Sequence, residues 1–353
     1  MYHFVGINPD RQLLRLSIAT AALLGTVVFW SQRTEAQTQS PGYSLFERYL
    51  EAFRAEANIP AMSATISQNG VVVWERGFGR RDVESGALAG PETPYQIGGL
   101  SQAFGATLLL RKCVDQWGAQ LDDPVALRSQ SFPDPQTTLR QLLSHTAPGG
   151  GGYQYSGERF ASLTPVIERC AQGGYSSVLA TEILDRFAML DSAPHGLAAT
   201  DTTFDAGHRA RYADVVSRMA RPYRIASGRP QRNTELVPHR VDAADGIVSS
   251  VRDLVRVDNA LTSNALLAQA TRNLAWTQAY AGTTPLPTGL GWFVQNYHDE
   301  PIIWQFGVIR GGYSSLIVKA PNRGLTYILL ANSDGLSAPF ALESGDVTTS
   351  IFA

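Results

Sequence analysis

The sequence predicts an α+β (α/β) protein: an antiparallel β-sheet flanked by helices, built from both ends of the chain, with a mainly helical domain inserted between them. Three observations carry this expectation. Short runs rich in branched and aromatic residues cluster at 61–76 and return at 290–331. The stretch between, roughly 120–244, carries apolar residues at helical spacing and irregular loops. The chain has 353 residues, 44% of them hydrophobic and 17% charged, an ordinary globular balance with enough length for a large core.

The N-terminus reads as a leader. Arg11 and Arg15 precede an uncharged, mostly apolar run from Leu16 to Trp30, and a polar stretch, Ser31 to Ser40, follows with Thr34-Glu35-Ala36 inside it. A positive start, a short apolar middle and small residues at the exit are the parts of a secretory signal. The apolar run is 15 residues long, whereas a bilayer span needs roughly 20. A cleaved signal peptide over 1–36 is therefore predicted, with no membrane span left afterwards and a periplasmic or extracellular mature protein. No Cys follows the run to carry a lipid.

Next, Tyr43 to Ala57 reads as an amphipathic helix, with Leu45, Tyr49, Leu50 and Phe53 in register. Ala61–Ser67 and Val71–Arg76 are strands joined by Gln68-Asn69-Gly70, a hairpin signal. Ser101 to Trp117 reads as a helix stopped by Leu121-Asp122-Asp123-Pro124, a turn and new helix start rather than a two-carboxylate site. Further helices are expected over Thr138–His145, Ser162–Cys170, Ser177–Leu190 and within Gly246–Leu261, the last starting near Ser249 or Ser250. Strands follow at Leu290–Gln295, Ile302–Phe306, Tyr313–Ala320 and Leu325–Ala331, and a tail helix near Leu336. The main domain is thus placed at 43–350, with 43–119 and 245–353 forming the sheet-and-helix lobe and 120–244 the helical lobe.

Composition excludes several classes. With 29 basic and 31 acidic residues the chain has no basic excess to hold nucleic acid. Two Cys and scattered His have no metal-ligand spacing, so neither metal nor cofactor is expected. The helix-like setting of Cys113 and Cys170 favours two separate buried thiols over a disulfide. His145 reads as a cation at a helix end, and His195, His208, His239 and His298 as exposed loop residues. The Gly149–Gly152 run lacks the Lys-Ser/Thr of a phosphate loop and reads as a flexible connection.

Six landmarks occur in order along the chain. They are Tyr95-Gln96-Ile97-Gly98-Gly99-Leu100-Ser101-Gln102-Ala103-Phe104, Leu121-Asp122-Asp123-Pro124-Val125, Leu139-Arg140-Gln141-Leu142-Leu143-Ser144-His145-Thr146, Tyr155-Ser156-Gly157, Asp245-Gly246-Ile247-Val248-Ser249-Ser250 with Asp253-Leu254, and Gln305-Phe306-Gly307 with Gly311-Gly312-Tyr313-Ser314-Ser315. Together they resemble the serine β-lactamase and penicillin-binding-protein family, in particular its class C β-lactamase, D-alanyl-D-alanine carboxypeptidase and esterase group. The resemblance implies a β-lactamase/transpeptidase-like fold. It also implies a Ser nucleophile with a Lys three residues later, a Tyr-x-Asn motif, and a Lys/His-x-Gly strand beside an oxyanion hole of backbone N–H groups.

Matched position by position, the chemistry is missing. The Ser position is Gly99 and the Lys position is Gln102, an amide that is no base near neutral pH. Tyr-x-Asn becomes Tyr155-Ser156-Gly157, and Lys/His-x-Gly becomes Gln305-Phe306-Gly307. Of the usual polar side chains only Tyr155 survives. Ser101 is rotated about 200° from position 99 on a helix and faces elsewhere; Lys112 lies too far along to reach. The backbone N–H groups of Gly99 and Val308 still match the oxyanion-hole positions. The sequence therefore leads to an exported, catalytically degenerate member that holds a cell-wall peptide or acyl ligand. Two alternatives stay open: an active β-lactamase, D,D-peptidase or esterase with Tyr155 or Ser156 as nucleophile, and a scaffold or partner-binding protein without ligand.

Overall fold

Asn69 and Gly70 both take positive φ, 50° and 81°, and this tight turn folds β1 (Ala61–Gln68) back onto β2 (Val71–Asp82). The protein is described by a computed structural model covering residues 41–129, 134–146, 152–237 and 239–353. Further short strands are β3 (Ala87–Leu88), β4 (Tyr95–Gln96), β5 (Tyr223–Ala226), β6 (Arg229–Arg232), β7 (Val248–Ser249), β8 (Tyr280–Ala281) and β9 (Thr284–Pro285). The C-terminal quarter supplies β10 (Phe293–Tyr297), β11 (Glu300–Ile309), β12 (Tyr313–Ala320) and β13 (Leu325–Ala331). One antiparallel sheet runs β10-β11-β12-β13-β1-β2-β3. Its two halves, from opposite ends of the chain, meet where Met62 pairs with Ala331 and Gln68 with Leu325.

The helices are α1 (Pro41–Glu56), α2 (Ser101–Leu109), α3 (Leu139–Leu143), α4 (Gly157–Ala161), α5 (Thr164–Ala171), α6 (Tyr175–Leu179), α7 (Ala206–Arg218), α8 (Val251–Thr262) and α9 (Gln269–Ala275). Helix α2 widens into a π-helical stretch, Leu110–Gln116, before Trp117, so the predicted single helix has two geometries. Caps explain several starts. Thr138 accepts from the Gln141 N–H while Gln141 reaches back to the Thr138 N–H, a reciprocal capping box. Ser250 accepts from the Asp253 N–H and opens α8. The expected tail helix is absent among the described residues: 334–349 forms four short 3₁₀ turns. Hairpin β5–β6 and helix α7 lie in the stretch expected to be helical.

Residues 50–353 form one compact unit, and the described residues 41–49 are the first turns of α1. The predicted leader and Gly149–Gly151 lie outside the described residues. Among the described residues no helix is long and apolar enough to cross a membrane. One face of the sheet contributes Ile303, Ile317, Ile328 and Leu330 to a hydrophobic cluster with Leu108 of α2, Ile167 of α5, Leu179 of α6 and Leu254 of α8. Helix α2 is buried along its whole length, so its first turn is held rigidly where the site is built.

The two cysteines are not separate thiols. α5 packs on the π-helical continuation of α2, and Cys113 and Cys170 form a disulfide with their Cα atoms 5.2 Å apart. Spacing along the chain carried no trace of this packing. The bridge closes a loop with a sequence separation of 57 residues, which predicts a contribution of about 2–4 kcal/mol to stability. Urea unfolding with and without reductant measures it: the midpoint should fall on reduction, and by a similar amount in Cys113→Ala/Cys170→Ala.

Candidate functional site

The site forms where the start of α2 meets the edge of β11. A 3₁₀ turn, Gly98–Leu100, leads directly into α2 and packs on β11 and β12. Position 307 must be glycine here, because a Cβ on Gly307 would lie 1.9 Å from the Ile97 carbonyl oxygen. Ile97 is fixed from both sides: its N–H donates to Ile247 C=O at 3.0 Å, and its C=O accepts from Ser315 Oγ at 2.6 Å.

Gly99, with ordinary φ, sits half-exposed at this junction. A Cβ built on it would stand 2.9 Å from Tyr155 Oη and 3.2 Å from the Phe306 carbonyl oxygen. The Tyr155 hydroxyl thus occupies the direction in which a side chain at 99 would project. One helical turn on, Gln102 is buried, and its Nε2 donates to Tyr155 Oη at 2.9 Å. Gly157 faces the same amide, at 3.9 Å from a built Cβ, and offers no polar group. Ser101 is turned away: it is fully buried, and its Oγ accepts from Ile247 N–H at 3.4 Å. Lys112 pairs with Glu182 at 2.9 Å on the far part of the helix.

Gln305 is a strand-edge residue and does not face Tyr155. Its Nε2 donates to Gly291 C=O at 3.0 Å, and its Oε1 accepts the Phe306 N–H at 2.9 Å. This amide satisfies one backbone group of β11, Phe306 N–H, and one just before β10, Gly291 C=O, beyond the end of the β10–β11 pairing at Phe293/Trp304. Phe306 holds the middle motif position with an aromatic ring, 5.7 Å from the Tyr155 ring and 5.7 Å from Phe293. Val308 lies beyond it. The turn bond from Gly312 N–H to Ile309 C=O marks Ile309/Tyr313 as a bonded pair, so the next pair, Val308/Ser314, turns its backbone groups outward. The Val308 nitrogen is 3.1 Å from where a Cβ on Gly98 would stand, which places it beside the Gly99 turn.

His145 belongs to this site, although its sequence position pointed to a helix end. It follows α3 in a left-handed conformation, φ 56°, and is buried against Tyr155, with ring centroids 4.7 Å apart. Its Nδ1 accepts the Ser156 N–H at 3.3 Å and its Nε2 lies 3.1 Å from Gln102 Oε1. Burial, with a smaller contribution from the Arg159 charge, lowers its pKa to about 3. It is a neutral hydrogen-bonding group, not a helix-end cation. The signal that could have revealed it is the polar His inside an otherwise apolar Leu142-Leu143-Ser144-His145 run. Burial pushes the Tyr155 hydroxyl up to about 12, partly offset by the Gln102 bond.

The other predicted positions resolve differently. His195 is fully buried, not exposed, and bonds Asp201 at 3.2 Å; its neighbours Ala193 and Ala198 belong to a buried cluster with Tyr212 and Val215 of α7. Asp122 is held by Arg140 in a two-point ion pair at 2.8 and 2.9 Å, and Asp123 by Arg128 at 2.9 Å. Neither carboxylate approaches Tyr155 through any bond among the described residues. No group of three or more His, Cys, Asp or Glu among the described residues could hold a metal ion.

A seven-stranded antiparallel sheet flanked by helices, with the residue-99 turn beside β11 and Tyr155 over it, defines a β-lactamase/transpeptidase-like fold. The β-lactamase family profile matches residues 46–345, and the chain belongs to the β-lactamase family. It is 21% identical over 332 residues to Protein flp of Staphylococcus aureus strain MW2, covering 82% of this chain and 62% of that protein. The chain thus spans about three-fifths of the length of that relative. Among solved structures, it resembles the octameric penicillin-binding protein homologue from Pyrococcus abyssi with a TM-score of 0.69 and 21% identity, over 86% of this chain and 75% of that one. A class C β-lactamase from Rhodobacter sphaeroides superposes with a TM-score of 0.65 and 17% identity, over 82% and 93% of the two chains. Both likenesses concern the fold.

The buried neutral His145 makes stability depend on pH. Its pKa is near 3 folded against an ordinary 6.5, so between these values the unfolded chain binds a proton that the folded one does not. The contribution is complete above pH 6.5 and is lost as pH falls toward 3, on the order of 4–5 kcal/mol over the whole window. Urea midpoints at pH 7 and pH 4 check this. The drop should be smaller in His145→Phe than in the wild type.

Proposed function

We propose that this protein is an exported member of the β-lactamase family that holds a cell-wall peptide or acyl ligand in the family's cleft without transferring an acyl group. The observation that carries the reading is the meeting of Gly99 and Tyr155: at the nucleophile position a hydrogen faces the tyrosine hydroxyl, with an amide at 102 where a basic amine belongs. Position 99 itself has no side-chain atom to form the acyl bond. Losing the nucleophile of a serine hydrolase costs on the order of a million-fold in turnover. Backbone N–H groups at Gly99 and Val308 and the Tyr155 hydroxyl remain as donors for a carbonyl or carboxylate. The Arg11/Arg15, Leu16–Trp30 and Thr34-Glu35-Ala36 pattern supports export.

A substitute nucleophile has little support. Ser156 is committed as the cap of α4, its Oγ accepting the Arg159 N–H at 3.1 Å. Tyr155 is harder to ionise than a free tyrosine, and its nearest side-chain partner is a donor amide.

Incubation of the mature protein with a labelled β-lactam, read by intact mass, tests the reading. The expected result is no covalent adduct and no ring opening above a boiled control. A stable adduct on the native protein refutes it. Muropeptides or D-Ala-D-Ala should raise the melting temperature through preferential binding to the folded state; no shift with any of them favours a scaffold role instead.

A further inference from the structure

A cavity separate from the Gly99–Tyr155 site lies along α3. It has a volume of about 430 Å³ and is walled by α3 with the residues just after it and by the 274–290 segment, which includes the β8–β9 hairpin. That volume falls within the roughly 300–1,000 Å³ of small-molecule sites. None of Gly99, Gln102, His145 and Tyr155 is among its described lining residues. Ser144 and Thr146 line it, while His145 between them packs its ring on Tyr155. Thr288 Oγ1 donates to Ser144 C=O at 2.9 Å and Gly291 N–H to Leu143 C=O at 2.8 Å, so the two walls are tied to each other.

Charge in this cavity is already cancelled. Asp122 and Arg140 are the charged residues among those described as lining it, and they hold each other in a two-point pair. An ion of either sign finds no unpaired countercharge there. The two lining amides are fixed in opposite senses. Thr138 N–H can only donate, so the Gln141 atom it meets at 2.9 Å is Oε1, and the Gln141 NH₂ is left without a partner. Leu286 C=O can only accept, so the Gln278 atom 2.9 Å from it is Nε2, and the Gln278 Oε1 is left without a partner. One preset donor and one preset acceptor therefore belong to the same cavity wall. Tyr280, 61% exposed on β8, adds an aromatic ring.

We propose that this cavity binds a neutral sugar ring. A hydroxyl group both donates and accepts, so the hydroxyls of one ring can meet the Gln141 NH₂ and the Gln278 oxygen together. A carboxylate only accepts and an ammonium only donates, so each leaves one of the two amide ends unmet. The C–H face of a pyranose is apolar, and the Tyr280 ring with Leu274 and Leu290 supplies apolar surface for it. Both amides are anchored by backbone groups, so little side-chain freedom is lost when the ring enters. The proposal is independent of what the Gly99–Tyr155 site holds or does; a β-lactam adduct there would leave it standing.

The experiment titrates the mature protein with the methyl β-glycosides of glucose, galactose and N-acetylglucosamine, followed by saturation-transfer difference NMR. At least one of them should bind saturably, with a dissociation constant in the millimolar range or below. Tyr280→Ala, at an exposed position, should weaken that binding about tenfold through loss of the ring. Gln141→Met removes the unpartnered NH₂ but leaves Thr138 Oγ1 to cap α3, and should weaken binding about fivefold. Melting curves establish that each variant is folded at the temperature of the titration. Should Gln141→Met not fold, Tyr280→Ala alone decides. Saturable binding of none of the three glycosides, or an affinity unchanged in either folded variant, overturns the proposal.

Discussion

The close passage of β11 over the 97–99 turn is the contact on which the site depends. Ile97 C=O presses against the Gly307 backbone, accepts from Ser315 Oγ, and lies opposite an N–H bond to Ile247. Those three restraints fix the direction in which α2 begins. Once that is fixed, the helical period decides every later orientation: positions 99 and 102 face Tyr155, while 101 faces Ile247. A Cβ at 307 would force the strand and the turn apart, and with them the Val308 and Gly99 donors. The glycine is thus required by a close approach of two backbones, independently of any chemistry.

The departures at 99, 102 and 157 make physical sense together. A lysine at 102 would be a charge on a buried turn, stable only with a polar cage around it. Here the surrounding groups are a neutral imidazole, a neutral phenol and a glycine. An amide suits that company, because its oxygen and its NH₂ group each find a partner. Removing a single member would leave a buried polar atom unpaired, which costs more than the net worth of the bond. Phe306 extends the same tendency: its ring adds apolar contact to Tyr155 and Phe293 at the rim of the site.

Much of this was legible in the chain. The Asn69-Gly70 hairpin, the β12 and β13 runs and the Ser250 cap follow from turn chemistry and alternation, which act over a few residues. The meeting of Gly99, Gln102 and Tyr155 followed from motif order. What stayed hidden depends on packing between distant segments. The Cys113–Cys170 bridge needs α5 to dock on the π-helical continuation of α2, and His195 is buried in a loop whose flanking Ala193 and Ala198 pack in one cluster with Tyr212 and Val215 of α7. Gln305 turned out to serve the strand edge because β10 ends one residue short of it. His145 was read from its neighbours on α3, while its real partners stand 11 and 43 positions away. The tail lacks a regular helix: Ala341 and Gly345 both take positive φ and break it into separate turns.

The surroundings of Tyr155 set what its hydroxyl can do in this fold. A phenol acts as a base or nucleophile only if its proton can leave, and neighbouring positive charge makes that easier. Here that charge is missing, and burial raises the cost of the phenolate further. Burial keeps the hydroxyl protonated, although the bond its oxygen accepts from Gln102 works in the opposite direction. A hydroxyl held in that state beside outward-facing backbone N–H groups adds to their polarity rather than opposing it. Preorganised donors of this kind need no reorganisation when an acceptor arrives, which favours binding whether or not a bond is subsequently made. The direction in which the protons point here is set at Ser156 N–H, three hydrogen bonds behind the tyrosine, because each donor in the series fixes the role of the next group.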